Sequence, residues 1–266
     1  MSPQTRTLTP NPKRRTNRNQ TEELDAPGEF FFDPSTKTLW LWHNASGAPP
    51  SDGSVVAALQ TVLINATGTA AAPVVGVGFQ GIGFRDTAPN YMGPHGTPSG
   101  GDWAVGRSAA VFFEGAVGAT IDGCLFTTLD GNALFFSGYN RNASVVNSEF
   151  VSVGETAVAQ WGYTEGSGVP GMGFDGTDGN QPRGTFVGYN VIHEVGLYTK
   201  QNSFYFQSEV IATLIEGNIM YNGPRACVWG ARARARPPPR HPRPRRRRTL
   251  PPLSPLPPLC SQWNQL

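Results

Sequence analysis

The 266-residue chain contains no run of 18 apolar residues and almost no helical periodicity. The first absence excludes a spanning helix and the second argues against a helical bundle. Cysteine is scarce: Cys124, Cys227 and Cys260 are an odd number, at spacings that suit neither a zinc site nor a disulfide framework. Cys124 is expected to pack in the interior. Met1 to Gln20 holds no apolar segment, so no secretory leader is visible. No Gly-rich phosphate loop, HExxH or GxSxG elbow occurs, and the sequence implies no metal and no cofactor. The 32 glycines lack the three-residue period of collagen and read instead as corners.

Charge is unevenly placed. Residues 1–20 carry five basic and no acidic groups, and residues 231–248 carry nine arginines. Between residues 21 and 230 this leaves seven Lys/Arg against 19 Asp/Glu, a body of charge −12 that is unsuited to gripping nucleic acid. Four N-x-S/T sequons, at Asn19, Asn44, Asn65 and Asn142, favour an extracellular or secretory-pathway location, with a leader lost or mis-assigned.

What is present is a repeat. Val111–Gly115 (VFFEG), Leu134–Gly138 (LFFSG) and Val158–Gly162 (VAQWG) recur at spacings of 23 and 24, each ending in glycine. Ala119–Phe126 and Ala143–Phe150 form a second recurring strand between them. Such short strands cannot enclose a core alone, but stacked repeats pair in parallel about 4.8 Å apart and align their inward side chains in columns. Phe84, Phe126, Phe150, Ile192 and Met220 extend the register as an anchor series with spacings of 42, 24, 42 and 28. Two places earlier stand Ile82, Cys124, Ser148, Asn190 and Asn218, the last two predicting a side-chain amide ladder at a corner. The intervals of 42 are read as one coil of 24 plus an inserted loop, at residues 88–107 and 163–183.

The expected fold is therefore all-β, a parallel β-helix (solenoid). Residues 1–20 read as a disordered basic arm and 21–54 as a hairpin cap, in which Glu29–Asp33 and Leu39–His43 are aromatic strands expected to cover the open end. The coils span 55–230. Residues 231–266 form an Arg/Pro-rich tail that cannot join a ladder, and its composition is that of translated G/C-rich non-coding sequence. A read-through intron or frameshift is the working reading of that tail.

LDAPGEFFFDPSTKTLWLW, GFRDTAPNYMGPHGTPSGGDWAV, LDGNALFFSGYNRNA, and NQPRGTFVGYNVIHEVGLYTKQNSFYFQ followed by NGPRA together resemble right-handed parallel β-helix proteins of the pectin-lyase-like superfamily. The hairpin-led members of that group to which the chain is similar are glycoside hydrolases. The likeness runs from about residue 24 to 226 and departs after Ala226, where further coils would follow. It implies a polysaccharide or glycan partner and a monomer.

By pleat arithmetic, Phe112 and Glu114, Phe135 and Ser137, Ala159 and Trp161, and Tyr205 and Gln207 should face outward on one wall. Trp103, Trp161, Tyr163 and Tyr205 would then be sugar platforms with Phe112, Phe135 and Arg225, unless the aromatics pack beneath the insertions as a satellite core. Glycoside hydrolysis needs two carboxyls, and Asp130 and Glu155 sit at the corner before a face strand on adjacent coils, about 5 to 8 Å apart by strand spacing. Asp102 could reach over the same wall. His193, next to Glu194, could donate a proton or orient a carboxylate, and Lys200 could act as the base of a lyase. Asp175-Gly-Thr-Asp178-Gly-Asn180 has the oxygen spacing of a calcium turn or of a plain one. Three functions remain open: a hydrolase, a lyase, and a non-catalytic glycan-binding or surface protein.

Overall fold

The computed structural model describes residues 24, 27, 29–33, 35–42, 55–97, 104–169 and 171–230. The arm, the tail, most of the cap's flanks, and the candidates Asp102 and Trp103 lie outside the described residues. Contact density divides the chain into a unit ending at Ala58 and a unit beginning at Leu59.

In the first unit, β1 (Phe30–Asp33) pairs antiparallel with β2 (Thr38–Leu41), Phe30 opposite Leu41 and Asp33 opposite Thr38. The turn is closed by Asp33, whose carboxylate accepts from the Ser35 N–H (2.9 Å), the Ser35 hydroxyl (2.7 Å) and the Thr36 hydroxyl (2.7 Å). Those bonds, the hydroxyls of Ser35 and Thr36 foremost, hold its pKa down at about 2.

The second unit runs through β3 (Ile64–Thr67), β4 (Val74–Val75), β5 (Gly78–Gln80) and β6 (Gly83–Arg85), then β7 (Val111–Val117), β8 (Thr120–Asp122) and β9 (Leu125–Leu129). It continues through β10 (Leu134–Arg141), β11 (Ser144–Val146) and β12 (Glu149–Val153), then β13 (Val158–Trp161). An antiparallel hairpin of β14 (Glu165–Val169) and β15 (Met172–Asp175) interrupts before β16 (Pro182–Arg183), β17 (Phe186–Gly188) and β18 (Val191–Val195). The last strands among the described residues are β19 (Tyr205–Ser208), β20 (Leu214–Glu216), β21 (Ile219–Tyr221) and β22 (Val228–Gly230).

These strands sort into three parallel sheets that the chain visits in a fixed order. Sheet one is β3-β7-β10-β13-β19-β22, with β4 on β7 and β16 on β10; sheet two is β5-β8-β11-β17-β20; sheet three is β6-β9-β12-β18-β21. No helix occurs among the described residues, and none is long and apolar enough to cross a membrane. The anchor series is paired residue for residue: Phe84 with Phe126, Phe126 with Phe150, Phe150 with Ile192, and Ile192 with Met220. Each interval of 42 is thus a single circuit carrying an inserted loop.

The core between the sheets follows from this registration. Phe126 stacks on Phe84 at 4.9 Å and on Phe150 at 4.5 Å, and Phe113 on Phe136 at 5.4 Å, joined by Val111, Leu134, Val145 and Val158. At the corner between sheets two and three the expected amide ladder is present. Asn190 Oδ1 accepts from the Ser148 N–H (3.0 Å), its Nδ2 donates to the Val145 carbonyl (3.0 Å) and to Asn218 Oδ1 (2.9 Å), and Asn218 accepts from the Asn190 N–H (3.0 Å). Ser148 Oγ continues the column as acceptor for the Cys124 N–H at 3.1 Å. Cys124 is a buried free thiol, as expected, whereas Cys227 is disulfide-bonded, contrary to the reading of the cysteine spacings.

A second column was not foreseen. Asp86, Thr128, Ser152, Glu194 and Asn222 occupy one register place on successive circuits at the end of the sheet-three strands, and all five have φ between 52° and 60°. This left-handed position turns the chain out of sheet three. The repeated glycine has its own cause: a Cβ on Gly115 would lie 2.2 Å from the Gly68 backbone, and one on Gly162 would lie 2.3 Å from the Glu209 carbonyl.

Candidate active site

Asp130 and Glu155 both follow sheet-three strands, where the chain turns toward sheet one. The Asp130 N–H donates to Thr87 Oγ1 at 3.0 Å and the Glu155 N–H to the Gly131 carbonyl at 3.2 Å, so the two stand on adjacent circuits one register place apart. Asp130 is half-buried, and the Tyr198 hydroxyl stands near its carboxyl. Burial pushes its pKa up to about 6; the Tyr198 hydroxyl opposes this and the charge of Asp86 adds to it. Burial, with Asp130 beside it, raises the Tyr198 phenol as well.

Glu155 is 2% exposed. Its Oε1 lies 2.8 Å from His95 Nε2, and Thr199 and the Asn132 N–H stand near enough to its carboxyl to favour the ionised form. Burial pushes Glu155 up against those partners. His95 Nδ1 lies 2.8 Å from the Gly93 carbonyl, which can only accept, so Nδ1 carries a proton. The Nε2–Oε1 contact then holds one further proton, as imidazolium with carboxylate or as imidazole with carboxylic acid. Burial lowers the His95 pKa, but Glu155 and the Gly93 carbonyl outweigh it and the net direction is up.

The first insertion lies across the outer face of sheet one. Asn132 Nδ2 donates to the carbonyls of Gly106 and Ser108, both at 2.9 Å, and Gly96 bridges Val105. A Cβ on Gly96 would be 2.4 Å from the Trp161 ring. Val105, Ala109, Phe135, Ala159, Trp161 and Phe206 form a separate buried cluster with Phe112 against it. The expected open strip of aromatics is therefore the alternative arrangement, a satellite core under the loop. Phe135 is fully buried and Trp161 is 4% exposed.

Tyr205 requires a correction: it faces the interior, and Phe206 takes the outward place opposite Ala159. The insertion at 163–183 breaks the spacing from which its phase was read. Inside, Gln160 Nε2 donates to the Tyr205 hydroxyl (2.6 Å), which donates to Gln207 Oε1 (2.9 Å), and Thr185 donates to Gln160 Oε1 (2.8 Å). Trp161 and Tyr163 both stack on a cation. The Arg107 guanidinium lies 3.9 Å and 4.1 Å from their ring centres and donates to Ser137 Oγ (2.8 Å) and to the carbonyls of Trp161 (2.8 Å) and Gly162 (3.0 Å). Tyr163 also lines a shallow concavity with Glu165, Gly171 and Asn180, at the far end of β13 from Glu155.

The remaining candidates do not converge on this corner. His193, on sheet three, stacks on Tyr221 at 4.7 Å and lies 3.2 Å from Glu149 Oε1. Glu194 belongs to the left-handed column and accepts from Asn222 Nδ2 at 2.7 Å. Lys200 Nζ donates to the carbonyls of Gly196 (2.8 Å) and Leu197 (3.1 Å), closing its own loop. Arg225 is exposed and hydrogen-bonded to Gln201. Asp175 and Asp178 each accept from the backbone two residues on, at 2.9 and 3.0 Å, as plain turns do. No three His, Cys, Asp or Glu side chains converge to hold a metal among the described residues.

Sequence reasoning missed His95, Asp86, Tyr91 and Tyr198. Asp86 alone had an accessible signal, standing two places after the anchor Phe84 as Thr128 does after Phe126. No protein-family model matches the chain, and no curated protein matches it. Its fold is similar to that of a solved structure named as a glycoside hydrolase, with a TM-score of 0.65 and 19% identity over 80% of this chain. The chain spans 40% of that protein's length, and at this identity the likeness is one of fold alone.

Proposed function

We propose that the chain is a right-handed parallel β-helix of the pectin-lyase-like kind that hydrolyses a polysaccharide, with Asp130 as the proton donor. One observation carries this reading: a half-buried carboxyl at a sheet corner whose surroundings keep it protonated up to about pH 6, as a general acid requires. Asp130 gives its proton to the glycosidic oxygen as the bond to the anomeric carbon breaks. Asp86, on the preceding circuit and ion-paired with Arg85, takes a proton from the attacking water. Glu155, buried against His95, braces the corner and the loop over it.

A second reading keeps Glu155 as the second carboxyl, favoured by its register place beside Asp130. Elimination is disfavoured because the Lys200 ammonium is tied to two carbonyls. A purely glycan-binding role is disfavoured because the aromatic wall it would use is largely covered. The same proposal includes the division into arm (1–20), cap (21–54), coils (55–230) and tail (231–266), a monomeric state, and an extracellular or secretory location. The exposed sequon residues Asn65 and Asn142 support that location.

The test is incubation with polygalacturonate, xylan and laminarin. Hydrolysis releases reducing ends without the ultraviolet absorbance of a 4,5-unsaturated uronate, and Asp130→Asn abolishes it. Loss in Asp86→Asn with retention in Glu155→Gln supports the first pairing, and the reverse supports the second. Undiminished release by Asp130→Asn refutes the assignment.

A further inference from the structure

Of the four sequons, Asn19 and Asn44 lie outside the described residues, and the fold treats the other two differently. Asn65, Ala66 and Thr67 lie in β3, where Ala66 packs on the core opposite Phe113, so Asn65 and Thr67 both project from the outer face of sheet one. Both are exposed. Thr67 Oγ1 donates to Asn65 Oδ1 at 2.7 Å, and the amide nitrogen of Asn65, Nδ2, has no hydrogen-bond partner among the described residues. Asn142 sits at a corner in the left-handed conformation, with φ 54°. Its Oδ1 lies so close to Gly184 of the next circuit that a Cβ there would come within 2.7 Å. A group attached to Asn142 would have to share that corner.

The surroundings of Asn65 are open on one side and aromatic on the other. Among the described residues β3 pairs with β7 alone. Asn65 stands opposite Phe112, the first ring of an outward row that continues with Phe135, stacked on it at 5.8 Å, then Ala159 and Phe206. Phe135 and Phe206 are buried, whereas Phe112 is only partly covered. Register partners in a sheet lie about 4.8 Å apart, so a sugar attached at Asn65 can lay the CH side of its ring on Phe112.

We propose that Asn65 is an N-glycosylation site and that the first sugar of its glycan covers Phe112. In the transfer a bond forms between Asn65 Nδ2 and the anomeric carbon of a lipid-diphosphate-linked oligosaccharide. The bond from that carbon to the diphosphate oxygen breaks, the lipid diphosphate leaves with the electron pair, and Nδ2 releases one proton. The Thr67 hydroxyl, two places on, is what makes this asparagine an acceptor. The tripeptide supplies the acceptor, and the fold decides where the product has room to stay. The inference rests on the chain entering the secretory pathway and is independent of the hydrolase reading.

The experiment is cell-free translation of the full chain behind a cleavable secretory leader, with endoplasmic-reticulum microsomes. Peptide N-glycosidase in heavy-oxygen water then marks each occupied asparagine as a labelled aspartate for peptide mapping. Asn65 is occupied, at a higher fraction than Asn142; Asn65→Gln and Thr67→Val remove that glycan, and Thr67→Ser keeps it. An unmodified Asn65, or occupancy at Asn142 equal to or above it, overturns the site. A chain that stays unmodified without the added leader, while the leader-bearing chain is modified, contradicts the secretory location and not the acceptor. For the sugar's placement, the glycoprotein trimmed by an endoglycosidase to single sugars is compared with Asn65→Gln treated alike. Asn65→Gln lowers Tm by about 2–4 °C, and the difference shrinks when Phe112→Leu is introduced into both. Equal Tm values, or a difference indifferent to Phe112→Leu, overturn the contact with Phe112.

Discussion

Replacing Asn190 by alanine perturbs the ladder that holds the corner between sheets two and three. Asn190 is 1% exposed, so water cannot take over its bonds. The change deprives the buried Ser148 N–H of its acceptor, the Val145 carbonyl of a donor, and Asn218 of a partner. A buried main-chain group left without its partner costs about 1–3 kcal/mol, and with the Ser148 N–H and the Val145 carbonyl both affected the loss here comes to about 2–4 kcal/mol. For a folded unit of this size each kcal/mol lowers Tm by about 2–4 °C, giving a drop of about 5–15 °C. Asn218→Ala, on the partly exposed last circuit among the described residues, should cost less than half as much, because solvent reaches it. Thermal unfolding followed by far-ultraviolet circular dichroism measures both. Equal shifts for the two variants, or a shift below about 2 °C for Asn190→Ala, would refute the argument that the buried ladder holds the circuits together.

Two further outcomes follow from the same structure. Phe126 lies fully buried between Phe84 and Phe150, so Phe126→Ala should destabilise by about 3–5 kcal/mol in urea unfolding, and Phe126→Leu by less than half of that. Asp130 has a folded-state pKa of about 6 against an ordinary value of 3.8, so the fold holds its proton more tightly than the unfolded chain does. Its favourable contribution is complete below about pH 4 and lost as pH rises through about 6. Asp130→Asn should therefore be more stable than the wild type at pH 7.5, by about 1–2 kcal/mol after allowance for solvent screening. That advantage should disappear toward pH 4, as denaturation at the two pH values will show.

The repeat was legible because identical registration brings like residues together. Phe126 over Phe150 and Asn190 over Asn218 are visible as spacings before any coordinates, and both pairs are formed. The outward wall was legible only as a pattern of alternation. Its strand phase was right for Phe112, Phe135 and Trp161, yet sequence could not tell that Gly96 and Val105 would lie upon it. Tyr205 failed for a related reason, since an insertion of unknown reach separates it from Trp161. The surroundings of the carboxyls were the least legible. His95 comes 60 residues before Glu155 and Tyr198 comes 68 after Asp130, and neither belongs to the repeating pattern.

The most direct test compares the wild type with Asp130→Asn on the polysaccharide it cleaves and on the dinitrophenyl glycoside of the same sugar. A general acid is needed when the leaving group is a sugar alcohol and is nearly dispensable when it is dinitrophenolate, because that anion departs without a proton. The account predicts a loss of about 10²-fold or more on the polymer and under about tenfold on the aryl glycoside. Equal losses on both substrates, or none on the polymer, would contradict it.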